Sequence, residues 1–185
     1  IFCIWQGGLS IYGALLGFLA TSIVFLRKYG YNLWLWFDLM MPSILFGLII
    51  LQLANFMMQF SLGTPLGLDI PNDHSLAEYV EYRYRPTGFE AYQYFQPVAL
   101  YQAFAYSIVF IISVLCLLIN RKYKFLAEGT VFLFSVILMA IIRFGIGFMY
   151  FSVNKDMLLY PMQWIALTVM IATVFIYIVK RFQHN

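Results

Sequence analysis

The residue of this chain best placed to do chemistry is Arg143, set inside the otherwise apolar run VFLFSVILMAIIRFGIGFMYF. A guanidinium stays charged at any physiological pH. An arginine at the centre of a membrane-crossing helix costs about 2.5–3.5 kcal/mol on insertion scales. One resolution is a specific anion site, favoured here because Gly145 and Gly147 open room beside the guanidinium. The other is snorkelling of the side chain to lipid phosphate. A second polar set, Gln52, Asn55 and Gln59, falls within about 60° on one helix face. It lines a cavity, or it serves as interhelical hydrogen-bonding glue worth about 0.6 kcal/mol per contact; the residues leave both open.

Other polar groups carry less. Gln102 and Gln163 stand just inside the outer ends of apolar runs and read as interface satisfaction. Tyr101, Tyr106, Tyr150 and Tyr160 read as an aromatic belt. The chain contains no zinc-ligand spacing, no phosphate-cradling glycine loop and no Ser-His-Asp set; its histidines, His74 and His184, lie in a polar loop and in the tail. No metal site and no cofactor are expected. Cys3 and Cys116 are far apart and support no disulfide framework.

The elements that must position these residues follow from composition. The chain is 63% hydrophobic and 10% charged, far below the roughly 25% charge of a soluble domain. An all-α, polytopic membrane helix bundle is expected, one membrane domain over residues 1–185. About 20 apolar residues cross a bilayer as a helix. About five runs qualify on that length: Leu9–Leu26, Met41–Phe60, Val98–Ile119, Thr130–Phe151 and Leu159–Val179. Leu33–Met40, rich in tryptophan and followed by Pro42, reads as a separate helix lying along the membrane surface. Residues 61–97 form the long polar connection, with the run EYVEYRYRPTGFEAYQYF, and suit a cap or a short amphipathic helix.

Positive charge sets the expected orientation. Arg27, Lys28, Arg121, Lys122, Lys124, Lys180 and Arg181 fall on one side under simple alternation. The other side receives Asp69, Asp73, Glu78, Glu81, Glu90 and Asp156 with Arg83, Arg85 and Lys155. The polar cap is therefore expected outside and the C-terminus in the cytoplasm. The chain starts at Ile1 rather than methionine, so a longer natural chain is expected. No nucleic-acid partner is implied, and no inverted repeat or pair of broken helices supports a transporter.

One stretch remains unexplained by packing: Trp5-Gln6-Gly7-Gly8-Leu9-Ser10-Ile11-Tyr12-Gly13-Ala14-Leu15-Leu16-Gly17. It resembles W-x-G-G-[LM]-S-x-H-G-G-x-x-G of the phosphatidylglycerol–prolipoprotein diacylglyceryl transferase family. DLMMPSILFGLIILQLANFMMQF is similar to the family's D-x-x-x-P…F-G…G-R-x-G-N-F-x-N-x-E segment, and QPVALYQ to its H-P-S-Q-L-Y-E. The fourth run resembles its Y-x-x-x-R-x-x-x-E helix, and MQW its M-G-Q turn. The resemblance covers nearly the whole chain in order, without the family's first two spans.

The resemblance implies transfer of diacylglycerol from phosphatidylglycerol to a lipobox cysteine thiol, which needs cations on the phosphate and a base for the thiol. Carried onto this chain, it retains Arg143, Asn55, Tyr101 and the glycines Gly7 and Gly8. It finds neutral residues where the family is ionisable: Tyr12 for a histidine, Gln52 for an arginine, and Phe60, Gln102 and Gly147 for acids. Tyrosine, with a reference pKa of about 10, is a poor base near neutrality. Catalytic groups that act as a unit fail together. The expectation is a catalytically degenerate member of an inner-membrane family, with a phospholipid headgroup cavity formed by Arg143, Gln52, Asn55, Gly7, Gly8 and Tyr101. Its expected ligand is phosphatidylglycerol or another anionic phospholipid, and its expected partners are other membrane subunits or lipoproteins. The alternative is a divergent working transferase, with Tyr12 and Arg143 catalytic.

Overall fold

In a bilayer each backbone N–H and C=O must be satisfied within the protein, which makes long apolar runs helical. The computed structural model describes residues 11–59, 61–67, 76–86, 88–124, 126–150 and 161–183. Its helices are α1 (Ile11–Lys28), α2 (Leu33–Met57), α3 (Val98–Tyr123), α4 (Thr130–Ile146) and α5 (Pro161–Gln183). Helices α2, α3 and α5, and α4 with a 3-10 turn continuing it to Met149, are long and apolar enough to cross a membrane. The fold is a polytopic membrane helix bundle. Helix α1, 18 residues long, overlaps the first expected span from Ile11 to Leu26 and runs on to Lys28.

The tryptophan-rich stretch is not a separate surface helix. It forms the base of α2, which runs unbroken through Pro42. Asn32 starts it: its side-chain oxygen accepts from the backbone N–H of Trp34 at 3.0 Å and of Leu35 at 3.4 Å, as an N-cap does. The residue that commits this base to the bundle is Asp38, buried to 2% exposure. Its carboxylate accepts from the backbone N–H of Gly129 at 2.5 Å and of Phe132 at 2.7 Å. These are two of the donors that the start of a helix leaves unsatisfied. Gly129, the N-cap of α4, has no side chain of its own, so Asp38 caps α4 from another helix. Gly129 must be glycine: its φ is +82°, and an added Cβ would stand 2.6 Å from the Trp34 ring and 2.7 Å from Lys180 Nζ. Lys180 of α5 sits 4.3 Å above that ring, within electrostatic reach of Asp38 and Glu128. The Asn32 amide donates to Glu128. One end of the bundle is thus fastened by a polar cluster from α2, α4 and α5.

The middle is apolar. Met41 and Leu45 of α2 and Val109 of α3 form a buried centre, packed by Phe110, Phe132, Val136, Leu138, Met139 and Ile142. Ser113 and Ser135 meet there at 2.7 Å, fully buried, and tie α3 to α4. Ser113 also returns a bond to the Val109 carbonyl at 2.8 Å.

The opposite end carries the cap, which is a small sheet rather than an amphipathic helix. Strands β1 (Pro65–Gly67), β2 (Glu78–Tyr79) and β3 (Tyr94–Phe95) pair antiparallel in the order β1-β3-β2. Pro65 and Glu78 both stand opposite Phe95. The sheet is sewn to three helices. Gln59, in left-handed backbone (φ +52°) just past α2, brackets β2: its amide donates to the Tyr79 carbonyl at 2.7 Å and accepts from the Glu81 N–H at 3.4 Å. Gly63 N–H donates to the Gln96 carbonyl, and Thr64 N–H to Met149, each at 3.1 Å.

Gly63 lies where the cap meets α3. A Cβ there would stand 2.5 Å from Val98 Cγ2 and 2.7 Å from the Gln96 carbonyl oxygen. The carbonyl belongs to the backbone and cannot rotate away. Gly63→Ala should therefore cost about 1–3 kcal/mol, the usual range for overpacking. Amide hydrogen exchange should quicken in β1 and β3 while α4 and α5 stay protected.

Candidate functional site

Arg143 lies in the last turn of α4, where a helix end favours positive charge. Its side chain is half-buried, with Nη2 3.8 Å from Met162 Sδ on α5. It also lies within electrostatic reach of the hydroxyl of Tyr106 on α3. Tyr106 is buried to 4% exposure, so it belongs to the interior and not to an aromatic belt. Tyr150, beyond the 3-10 turn, lies within electrostatic reach of Tyr106 and donates its hydroxyl to Gln102 Oε1 at 3.0 Å. Gln102 is fully enclosed, and its Nε2 has no hydrogen-bond partner among the described residues. Arg143, Tyr106, Tyr150 and Gln102 are therefore neighbouring polar groups beneath the cap, the last two joined by a hydrogen bond. Among the described residues the ion pair is Arg83–Glu81, at 3.8 Å, and Arg143 has no carboxylate partner. A guanidinium fork matches the geometry of a phosphate or carboxylate.

The sequence-derived site is only partly assembled. Gln52 is buried and Asn55 half-buried on α2, and they bond each other, Asn55 Nδ2 donating to Gln52 Oε1 at 3.1 Å. No described hydrogen bond joins this pair to Arg143. Gln59 leaves the stripe altogether and serves the cap. Tyr101 is half-buried on the first turn of α3. Tyr12 is placed on the first turn of α1, and Gly7 and Gly8 lie outside the described residues.

Gln102 and Gln163, read from sequence as interface residues, are both fully buried. Burial requires each amide to find partners inside the protein, and Gln163 Nε2 donates to the Phe144 carbonyl at 3.3 Å. The usable sequence signal was the spacing of Gln102 and Tyr106, four apart on one helix face. The room expected beside Arg143 exists at Gly145, where an added Cβ meets nothing within 4 Å. At Gly147 it does not: a Cβ would stand 2.6 Å from Gln163 Cγ and 3.0 Å from its Cδ and Nε2.

One titratable group in the cap is unusual. Glu78 is 5% exposed, and neither carboxylate oxygen has a hydrogen-bond partner among the described residues. Burial raises its pKa from 4.5 to about 7. A folded value above the unfolded one favours the folded state most below pH 4.5, and that contribution is lost as pH rises through about 7. Glu78→Leu should therefore raise the melting temperature at pH 8, by a few degrees per kcal/mol recovered, and leave it nearly unchanged at pH 4. Equal shifts at both pH values would contradict the assignment.

Apolar helices able to cross a membrane, with a small polar cap at one end, define a polytopic membrane protein. The chain belongs to the prolipoprotein diacylglyceryl transferase family, whose model matches residues 1–179. It is 29% identical over 182 residues to the phosphatidylglycerol–prolipoprotein diacylglyceryl transferase of Lactobacillus acidophilus, covering 98% of this chain and 62% of the relative. To the protein of the same name from Geobacillus kaustophilus it is 30% identical over 179 residues, 96% of this chain and 63% of the relative. To that from Synechocystis it is 33% identical over 103 residues, 56% of this chain and 34% of the relative. The chain thus spans between 34% and 63% of the length of these relatives.

Proposed function

We propose that this protein is a catalytically degenerate member of its family that holds an anionic phospholipid headgroup at Arg143 and serves as a structural or accessory subunit of a membrane assembly. Phosphatidylglycerol, part of the names of its relatives, is the first ligand to test, and lipoproteins and other membrane subunits are the partners. The observation that carries this reading is the closure of Gly147. The resemblance places an acid there, four residues beyond Arg143 on the same helix face. Here the buried side chain of Gln163 packs on a glycine, and any Cβ would require Gln163 to shift. The position carries no charge, and its neighbour leaves little room for one. Half-buried Arg143 is the headgroup contact, backed by the buried polar groups Tyr106 and Gln102, with Gln52, Asn55 and Tyr101 as further polar residues of the proposed site. The cap faces outward and the C-terminus lies in the cytoplasm, following the basic residues Arg121, Lys122, Lys124 and Lys180 at the other end.

The test is a lipidation assay. Full-length protein in vesicles of phosphatidylglycerol is incubated with a lipobox peptide, and the peptide mass is followed. The expected result is no gain of a diacylglyceryl group, together with phosphatidylglycerol co-purifying in wild type and not in Arg143→Ala. A mass gain abolished by Arg143→Ala would overturn the degenerate reading.

One observation favours the working-transferase alternative. Glu78 titrates near neutrality, as a general base should. Its strand is tied through Tyr79 to Gln59, next to Phe60, where the resemblance places an acid. On this reading Glu78 replaces that acid, Tyr12 orients the thiol and Arg143 holds the phosphate. A mass gain abolished by Glu78→Gln would establish it.

A further inference from the structure

The tyrosine-rich edge of the cap is built more rigidly than an exposed loop requires. Arg85 spans it from beneath: Nε donates to the Val80 carbonyl at 2.9 Å and Nη1 to the Glu90 carbonyl at 2.8 Å. With its fork held by backbone, the same guanidinium lies 6.0 Å from the Tyr79 ring centroid and 5.6 Å from that of Tyr82. Arg83 lies 5.8 Å from the Tyr84 ring. Cation–π contacts of this kind orient rings without burying them. The rings stay uncovered: Tyr79 is 53% exposed, Tyr82 70% and Tyr84 52%.

The height of this edge is fixed by Gln59. Its two hydrogen bonds to Tyr79 and Glu81 hold the edge at the very end of α2, a membrane-crossing helix. The last turn of α2 is apolar and open, with Met57 83% and Met58 68% exposed. The tyrosine edge is thus tied one and two residues beyond exposed apolar side chains at the end of a helix long and apolar enough to cross the membrane. Glu81 and Glu90 flank the arginines, so the edge is close to neutral. That composition suits a phospholipid headgroup and glycerol layer, where a ring is apolar in body and polar at its tip. It does not suit a strongly acidic or basic protein partner.

We infer that the Tyr79–Tyr84 edge is a bilayer anchor, seated in the headgroup layer of the leaflet on the cap side and pinning the cap to the membrane. This surface is separate from Arg143 and stands whether or not that residue holds a lipid.

The test uses the full chain in phosphatidylcholine vesicles, with Tyr82→Trp as depth probe and Tyr84→Trp as a second variant should the first fold poorly. Wild-type emission, which comes from 4 tryptophans, is subtracted. The added emission should be blue-shifted relative to free tryptophan. Lipid brominated near the glycerol should remove at least half of it, lipid brominated near the chain end much less, and aqueous iodide little. Emission like that of free tryptophan and open to iodide would place the edge in water and overturn the inference. Blue-shifted emission untouched by either bromolipid would mean that protein covers the ring, and would overturn it as well.

Discussion

Arg143→Ala should lower the affinity for phosphatidylglycerol about 30-fold or more. Removing one member of a partly buried, charge-assisted pair costs about 2–5 kcal/mol, and each 1.4 kcal/mol is a factor of ten. The effect should be this large because no described carboxylate shares the guanidinium. Its contacts are a thioether at 3.8 Å and the Tyr106 hydroxyl, neither of which neutralises it. Arg143→Lys should recover part of the loss, since a point charge remains but the two-pronged geometry does not. Asn55→Ala should change little, because its amide is spent on Gln52. Native mass spectrometry of protein released from phosphatidylglycerol nanodiscs reads the bound lipid directly. Equal retention by wild type and Arg143→Ala would place the headgroup elsewhere.

Asp38→Ala should be the most destabilising single change at the other end of the bundle. It removes the acceptor for two backbone donors of α4 and leaves Lys180 without its nearest buried counter-charge. Loss of a helix cap alone costs about 0.5–2 kcal/mol, and uncovering a buried partner adds to it. A total of about 2–4 kcal/mol corresponds to a fall of roughly 5–15 °C in melting temperature for a chain of this size. Asp38→Asn keeps one acceptor oxygen and should lose less. Hydrogen exchange should place the damage at the start of α4 and around Trp34, with the cap unaffected. Fast exchange in the cap and slow exchange in α4 would refute this account.

The bundle was legible because its signals are long. Runs of twenty apolar residues leave helix as the answer in lipid, and Pro97 and Gly129 mark the starts of α3 and α4 by chain chemistry alone. Leu33–Met40 was misjudged because proline usually ends a helix. What holds it in α2 is Asp38 reaching Gly129, 91 positions away in sequence, and no local pattern carries that. The cap strands run two or three residues each, too short for alternation to register. At the site, residue identities marked Arg143 and the neutral residues Gln52 and Gly147. They could not tell that Gln102 and Gln163 turn inward, since a polar residue near a helix end reads the same whether it faces headgroups or neighbours.

The packing of Gln163 on Gly147 also couples the two positions. A side chain at 147 would bring its Cβ to 2.6 Å from Gln163 Cγ, so a residue that is fully buried and bonded to the Phe144 carbonyl would have to move. Substitutions at neighbours of this kind do not add independently: Gly147→Ala should be tolerated better beside Gln163→Ala than alone, and the two sites are expected to change as a pair.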